Sequence, residues 1–288
     1  MSHIRNDCRG GVGILVLSTA LCVFSVSAVG AQDFEPPRLA NGRPDFNGIW
    51  QALNASNYDL EPHIARSAME LREGPQGPVP AIGVLRLGAV GAVPGSLGVV
   101  DGGRIPYTTH ARALKEENRA HWLERDPEVK CYMPGVPRAN YIPHPFQIIQ
   151  SETDIFVAYE YAGAVRDIYL DDRGPAPVDS WMGQSDGRWD GDTLVVTVTG
   201  QNDQTWFDRA GSHHSNQLVV EERYTLVSPD HIQYEATMED PEVFTEPWTI
   251  RMPLYRRVEE NARLMDFKCV EFVEELIYGE LRRNPLPR

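Results

Sequence analysis

A chain of 288 residues with 42% hydrophobic and 24% charged side chains has the proportions of a folded globular protein, one large domain or two small ones. Its 27 Lys and Arg against 41 Asp and Glu give a formal net charge of −14, and no basic stripe offsets it, which argues against nucleic acid as a partner. Past the first 31 residues no apolar run is long enough to span a bilayer, so no membrane span is expected in the mature chain.

Residues 1–31 read as a secretory signal. Arg5 and Arg9 supply the positive start, an apolar stretch runs from Val12 to Val26, and Val29-Gly30-Ala31 offers small residues for cleavage before Gln32. A lipoprotein anchor at Cys22 does not fit, because Leu21 stands where a small residue belongs. The expected location is the periplasm or the exterior. Without the leader only Cys131 and Cys269 remain, and an even pair in an oxidising compartment suggests one disulfide between the middle of the chain and its end. The alternatives are two buried thiols or a soft-metal site, and the latter lacks a nearby Cys-x-x-Cys.

Residues 32–130 read as an extended arm, short helices and a connection. The arm is polar and proline-rich, and its aromatic end at Phe46, Ile49 and Trp50 is pinned to the body. A short helix is predicted over 59–73, with Ile64, Ala68 and Leu71 on one stripe. The Gly- and Pro-rich segment 74–106 should meander across the surface. A second helix is predicted over 108–125, capped by Thr108 or Thr109, ended by Asp126-Pro127, and packed by a thin edge of Ala111, Leu114 and Trp122.

Residues 131–288 read as the body, entered through the proline-stiffened loop Cys131–Arg138. From 146 onward the period is two. Strands are predicted at 146–150, 155–161, 165–170, up to Trp189, from Thr193, and at 217–227, 231–239, 248–258 and 263–269, followed by a helix over 271–282. This is a mainly β protein: an antiparallel closed barrel with an extended arm and a few peripheral helices, or alternatively a β-sandwich.

Three acidic residues in Asp186–Asp192 invite a calcium loop, but no bidentate Glu closes it, and Asp190-Gly191 reads as a hairpin turn. Arg188 and Trp189 beside that turn are candidates to face a ligand. His213 and His214 point to opposite faces of a strand, and with His144 they lie at no metal-binding spacing, so no metal site is expected. Glu222 falls on the row Leu218, Val220, Tyr224, Leu226, where a carboxylate must be paired or protonated. Arg166 and Arg256 interrupt apolar rows in the same way. These groups are read either as a buried Glu–Arg pair that stabilises the barrel, or as a polar cluster at the base of a ligand cavity, with Glu222 shifted upward as an acid or base. Trp206 and Tyr224 are aromatic candidates for the same pocket. No Gly-x-Gly-x-x-Gly, phosphate loop or Gly-x-Ser-x-Gly elbow occurs, so no cofactor is expected.

The stretches Pro44–Trp50, Cys131–Arg138, Gly187–Val196, Glu222–Tyr224 and Asp240–Trp248 together resemble a group of exported bacterial proteins with no assigned activity. These carry Asp-Phe-(Ser/Asn)-Gly-Ile-Trp, Cys-x-x-Pro-Gly-x-Pro-Arg and Gly-Arg-Trp-x-Gly-Asp-Thr-Leu-Val-Val motifs. The resemblance covers most of the mature chain and implies export and a lipocalin-like barrel. Some of the group have Cys-His-Glu near the last cysteine, where this chain reads Cys269-Val270-Glu271. Two functions are thus carried forward. The first is a barrel that binds a small, partly aromatic or lipidic molecule, through Arg166, Arg188, Trp189, Trp206, Tyr224 and Arg256. The second is a cofactor-free isomerase, lyase or hydrolase pairing Glu222 with His144, His213 or His214 in the barrel mouth.

Overall fold

Alternation of apolar and polar side chains dictates two-faced strands, and nine of them close on themselves. In a computed structural model, which describes residues 34–67, 71–72, 79–80, 92–171, 173–269 and 271, the strands are β1 (Gly48–Ala52), β2 (Phe146–Gln150), β3 (Asp154–Tyr159), β4 (Val165–Tyr169), β5 (Gln184–Asp190), β6 (Thr193–Thr199), β7 (Val219–Ser228), β8 (His231–Glu239) and β9 (Trp248–Arg256). Their order around the barrel is β1-β9-β8-β7-β6-β5-β4-β3-β2, with β2 returning to β1. The architecture is a closed, lipocalin-like barrel rather than a sandwich. An odd number of strands cannot alternate in direction all the way round, so one neighbouring pair must be parallel. That pair is β4 and β5, joined only at Ile168–Ser185 and Tyr169–Asp186.

The inward rows are those expected from the rhythm: Leu194, Val196 and Val198, then Leu218 to Leu226, then Ile232 to Met238, all buried. The expected strand at 263–269 does not form, since that segment is irregular. The closing strand is β1 instead, from the end of the predicted arm, which pairs Trp50 with Arg256 on one side and with Phe146 on the other. Gly48, at φ +149°, makes room there: a Cβ would overlap the Arg256 guanidinium, which stacks 4.2 Å over the Trp50 ring.

Both ends of the barrel are covered. At the end holding the hairpin turns, the arm crosses with Arg38 bidentate to Asp192 at 2.8 Å and the Phe46 amide donating to Gln150 Oε1 at 2.9 Å. At the other end residues 53–62, 99–145, 200–218 and 240–247 build a cap around helices α1 (Thr109–Ala120) and α2 (Trp122–Arg125). Thr108 caps α1 by accepting the Ala111 amide, as predicted. The buried side of α1 differs from the apolar edge expected: it is Ala111, Lys115 and Asn118. Polar contacts hold it, with Asn118 Nδ2 donating to Gly211 O at 3.4 Å, where a Cβ on Gly211 would strike the helix backbone. The helix predicted over 59–73 is not present in its described part, which is turn and extended chain with short ladders at Arg66–Ser67 and Leu71–Arg72. The leader, most of 74–91 and the helix predicted over 271–282 lie outside the described residues.

Cys131 and Cys269 lie at disulfide distance, with Cα atoms 5.8 Å apart at a sequence separation of 138. They clasp the irregular segment after β9 to the cap. Closing so long a loop limits the unfolded chain, so Cys269→Ser is expected to lower stability by up to about 5 kcal/mol. Urea unfolding of the oxidised protein and the variant measures this, and equal midpoints would show that the clasp contributes nothing.

Candidate functional site

The period-two row of β7 places Glu222 inside the barrel with no exposed surface. Arg166, on β4, reaches it across the barrel and forms an ion pair, while its Nε donates to Ser185 Oγ at 2.6 Å across the weak β4–β5 seam. Tyr224 and Tyr234 donate their hydroxyls to Glu222 Oε1 at 2.9 and 2.7 Å. From the cap, Asn140 inserts its amide, donating to the same oxygen at 2.7 Å, and its carbonyl accepts the Tyr159 hydroxyl at 3.0 Å. Burial raises Tyr224 and Tyr234 well above the usual phenol range, and Glu222's negative charge adds to this; burial pushes Tyr159 up to about 12. The phenols therefore remain protonated donors. Burial opposes the Arg166 charge, but Glu222 outweighs it and holds the guanidinium charged. The cluster is mutually satisfied, and Asn140 occupies the place where a polar ligand group would have to sit.

The other predicted site residues do not converge on it. Arg188 is outside, paired with Glu221 at 2.9 Å. Trp189 packs against Phe46 beneath Arg43 at the arm end. Arg256 sits over Trp50 at that same end, and Trp206 belongs to the cap, bridged to His213. Of the six, only Arg166 and Tyr224 share a site. The Glu222–histidine pair is not assembled. His144 lies beside Glu160 at 3.2 Å, outside the barrel wall and against Phe267. His214 is buried with both ring nitrogens engaged, Nδ1 against Ser215 O at 2.8 Å and Nε2 against Thr205 Oγ1 at 2.6 Å; burial lowers its pKa. Adjacent residues on a two-residue period could not both reach the barrel axis, and 213–214 lie on a cap loop rather than a strand.

Sequence reasoning missed Arg138 and Lys115. Arg138, 2% exposed, anchors the segment that delivers Asn140: it donates to Asn57 Oδ1 at 2.8 Å, Asp126 Oδ1 at 3.1 Å and Glu128 Oε2 at 2.7 Å. Burial works to raise Glu128, but the charges of Arg209 and Arg138 hold it down at about 2. Asp126 is raised by its complete burial.

Lys115 lies beside the open volume in the cap. Its side chain is 5% exposed and its ammonium donates to Glu61 Oε2 at 2.5 Å, while Glu61 Oε1 accepts the Ile105 amide at 2.9 Å. The Tyr107 ring lies 5.3 Å beneath the same ammonium. Residues 59–64 form one wall of a cavity of about 420 Å³, and Lys115, Glu116 and Arg119 form the other. Behind it Asp208 accepts from the amides of Leu60 and Ser212 and is raised by burial. A second cleft, about 660 Å³, lies between Pro145, Glu160 and the irregular segment 257–265, whose side chains are mostly exposed. Among the described residues no group of three or more His, Cys, Asp or Glu side chains could hold a metal ion. Comparison with family models, curated proteins and solved structures yields no match, so the site is judged on its own geometry.

Two outcomes check the buried clusters. Glu222→Gln strands the Arg166 charge in the barrel and is expected to cost about 3–5 kcal/mol, whereas replacing both partners by Leu and Met recovers most of it; denaturant titration of the three proteins reads the difference. Glu128 has a depressed pKa, so its stabilisation is full above its ordinary value of 4.5 and is lost as pH falls toward about 2. Glu128→Gln should therefore flatten the stability curve across that acid window, and an unchanged slope would refute the pairing.

Proposed function

We propose that this protein is an exported β-barrel that binds a small molecule in its cap, with the barrel serving as the rigid support. Export is supported by the signal-like residues 1–31, by a disulfide-distance cysteine pair suited to an oxidising compartment, and by the motif resemblance. The observation that carries the binding site is the contrast between two polar clusters. In the barrel every partner of Glu222 is supplied by the chain itself. In the cap, a buried lysine paired with a half-buried glutamate borders about 420 Å³ of open volume, within the size range of small-ligand sites. Loops held by a rigid scaffold are also where binding sites are commonly built.

An acid–base enzyme at the barrel mouth has less support, because Glu222 and the histidines lie apart. Native mass spectrometry of the protein recovered from its own host tests the cap reading. A retained small molecule is expected to be lost in Lys115→Met and kept in Tyr234→Phe, which trims one hydroxyl from the barrel cluster at a cost of about 1 kcal/mol. The reverse pattern would place the ligand inside the barrel.

A further inference from the structure

Past β9 the chain runs as a strap, Arg257 to Cys269, that leans on the barrel without joining its core. None of its side chains is buried, and it is irregular apart from a turn in which the Ala262 amide donates to Glu259 O at 2.9 Å. It is tied to the wall at intervals. The Arg257 amide donates to Ile49 O at 2.8 Å, and its guanidinium donates to Gln51 Oε1 at 3.2 Å. Further on, the Met265 amide donates to Glu160 Oε2 at 2.8 Å, and the Phe267 ring lies 5.0 Å from both His144 and Tyr161. The cleft of about 660 Å³ has Pro145 and Glu160 on one side and strap residues 257–265 on the other. Ordering exposed chain costs conformational entropy, which contacts this sparse repay poorly, so the fastening at the far end decides whether the strap stays down. That fastening is the pairing of Cys269 with Cys131.

The two cysteines are unequally placed: Cys269 is exposed and Cys131 half-buried. Exposed disulfides are the ones open to exchange with outside thiols. We propose that the Cys131–Cys269 bridge is a redox latch, opened by an external dithiol, whose release lifts the strap and bares the His144–Glu160 pair. The attacking thiolate bonds to Cys269 Sγ, and Cys131 leaves as a thiolate that takes up a proton. The second thiol of the reductant then displaces Cys269, which is protonated in turn, leaving two protein thiols and one oxidised dithiol. Freed at that end, the strap leaves residues 144 and 160–161, while the barrel, whose core it does not share, stays closed. The device does not depend on what the cap cavity binds.

Trypsin digestion tests the latch, with the cut sites located by mass spectrometry. Three samples are compared: the disulfide-bonded protein, the same protein treated with dithiothreitol without denaturant and capped with iodoacetamide, and oxidised Phe267→Ala. The bridge is expected to reduce under these native conditions. Cutting at Arg257, Arg263 and Lys268 is then expected to rise at least about tenfold, because cleavage follows the population of the open form. The amides of β6–β8 should keep their NMR shifts, and oxidised Phe267→Ala should remain slow to cut. If the bridge reduces only in denaturant, if the three sites are cut no faster once it is open, or if the barrel amides collapse with it, the pair is a structural staple and the latch is overturned. Fast cutting of oxidised Phe267→Ala overturns it as well, since the ring and not the bridge would then hold the strap.

Discussion

Burying a carboxylate where no water reaches it constrains everything within hydrogen-bond distance, and in this protein that carboxylate is Glu222 at the heart of the barrel. An ionised group in such a place costs several kcal/mol unless it is paired and its lone pairs are filled. Here the requirement is met from three directions: Arg166 from the opposite wall, the phenols of Tyr224 on the same strand and Tyr234 on the next, and Asn140 from outside the barrel. The first of these also ties Ser185 to Arg166 across the seam where the barrel has its single parallel pair and fewest ladder bonds. The third couples barrel and cap, because Asn140 can reach Glu222 only if residues 126–140 are held in place. Arg138 holds them, through a second buried set of charges with Asp126, Glu128 and Asn57. The barrel cluster thus depends on the cap cluster for the placement of Asn140, and the two act as one support.

Barrel and cap differ in what surrounds their buried charges. The barrel interior is filled by side chains and the polar atoms around Glu222 answer one another, which suits a scaffold. The cap is built largely from irregular chain and carries lysine, histidine and carboxylates along open volume.

Much of the sheet was legible from residue pattern. A two-residue period exposes itself in any single strand, so the inward rows of β6, β7 and β8 and the anomaly of Glu222 among them could be read directly. The pairing of Glu222 with an arginine follows from electrostatics, although choosing Arg166 over Arg256 needs the barrel's curvature: both interrupt apolar rows, but Arg256 lies at the far end, over Trp50. The closing strand was hidden, because five residues after a proline-rich arm show too little alternation to stand out, whereas 263–269 shows enough to mislead. Arg138, Asn140 and Lys115 carried no signal of burial. Two sit in a turn without period, and the third lies on a helix whose apolar edge pointed elsewhere.

What the chain alone determined is therefore its class: a mainly β body, one cysteine pair joining middle to end, an acidic surface, and an ionic group on a buried row. These depend on local periodicity and composition, which a linear reading contains in full. Tertiary structure decided which strand closes the barrel, that Asn140 rather than a histidine meets Glu222, and that the open volume lies in the cap. Each of those outcomes is a contact between residues roughly 50 to 200 positions apart, and such contacts are set by strand register and chain crossing, quantities that no local pattern encodes.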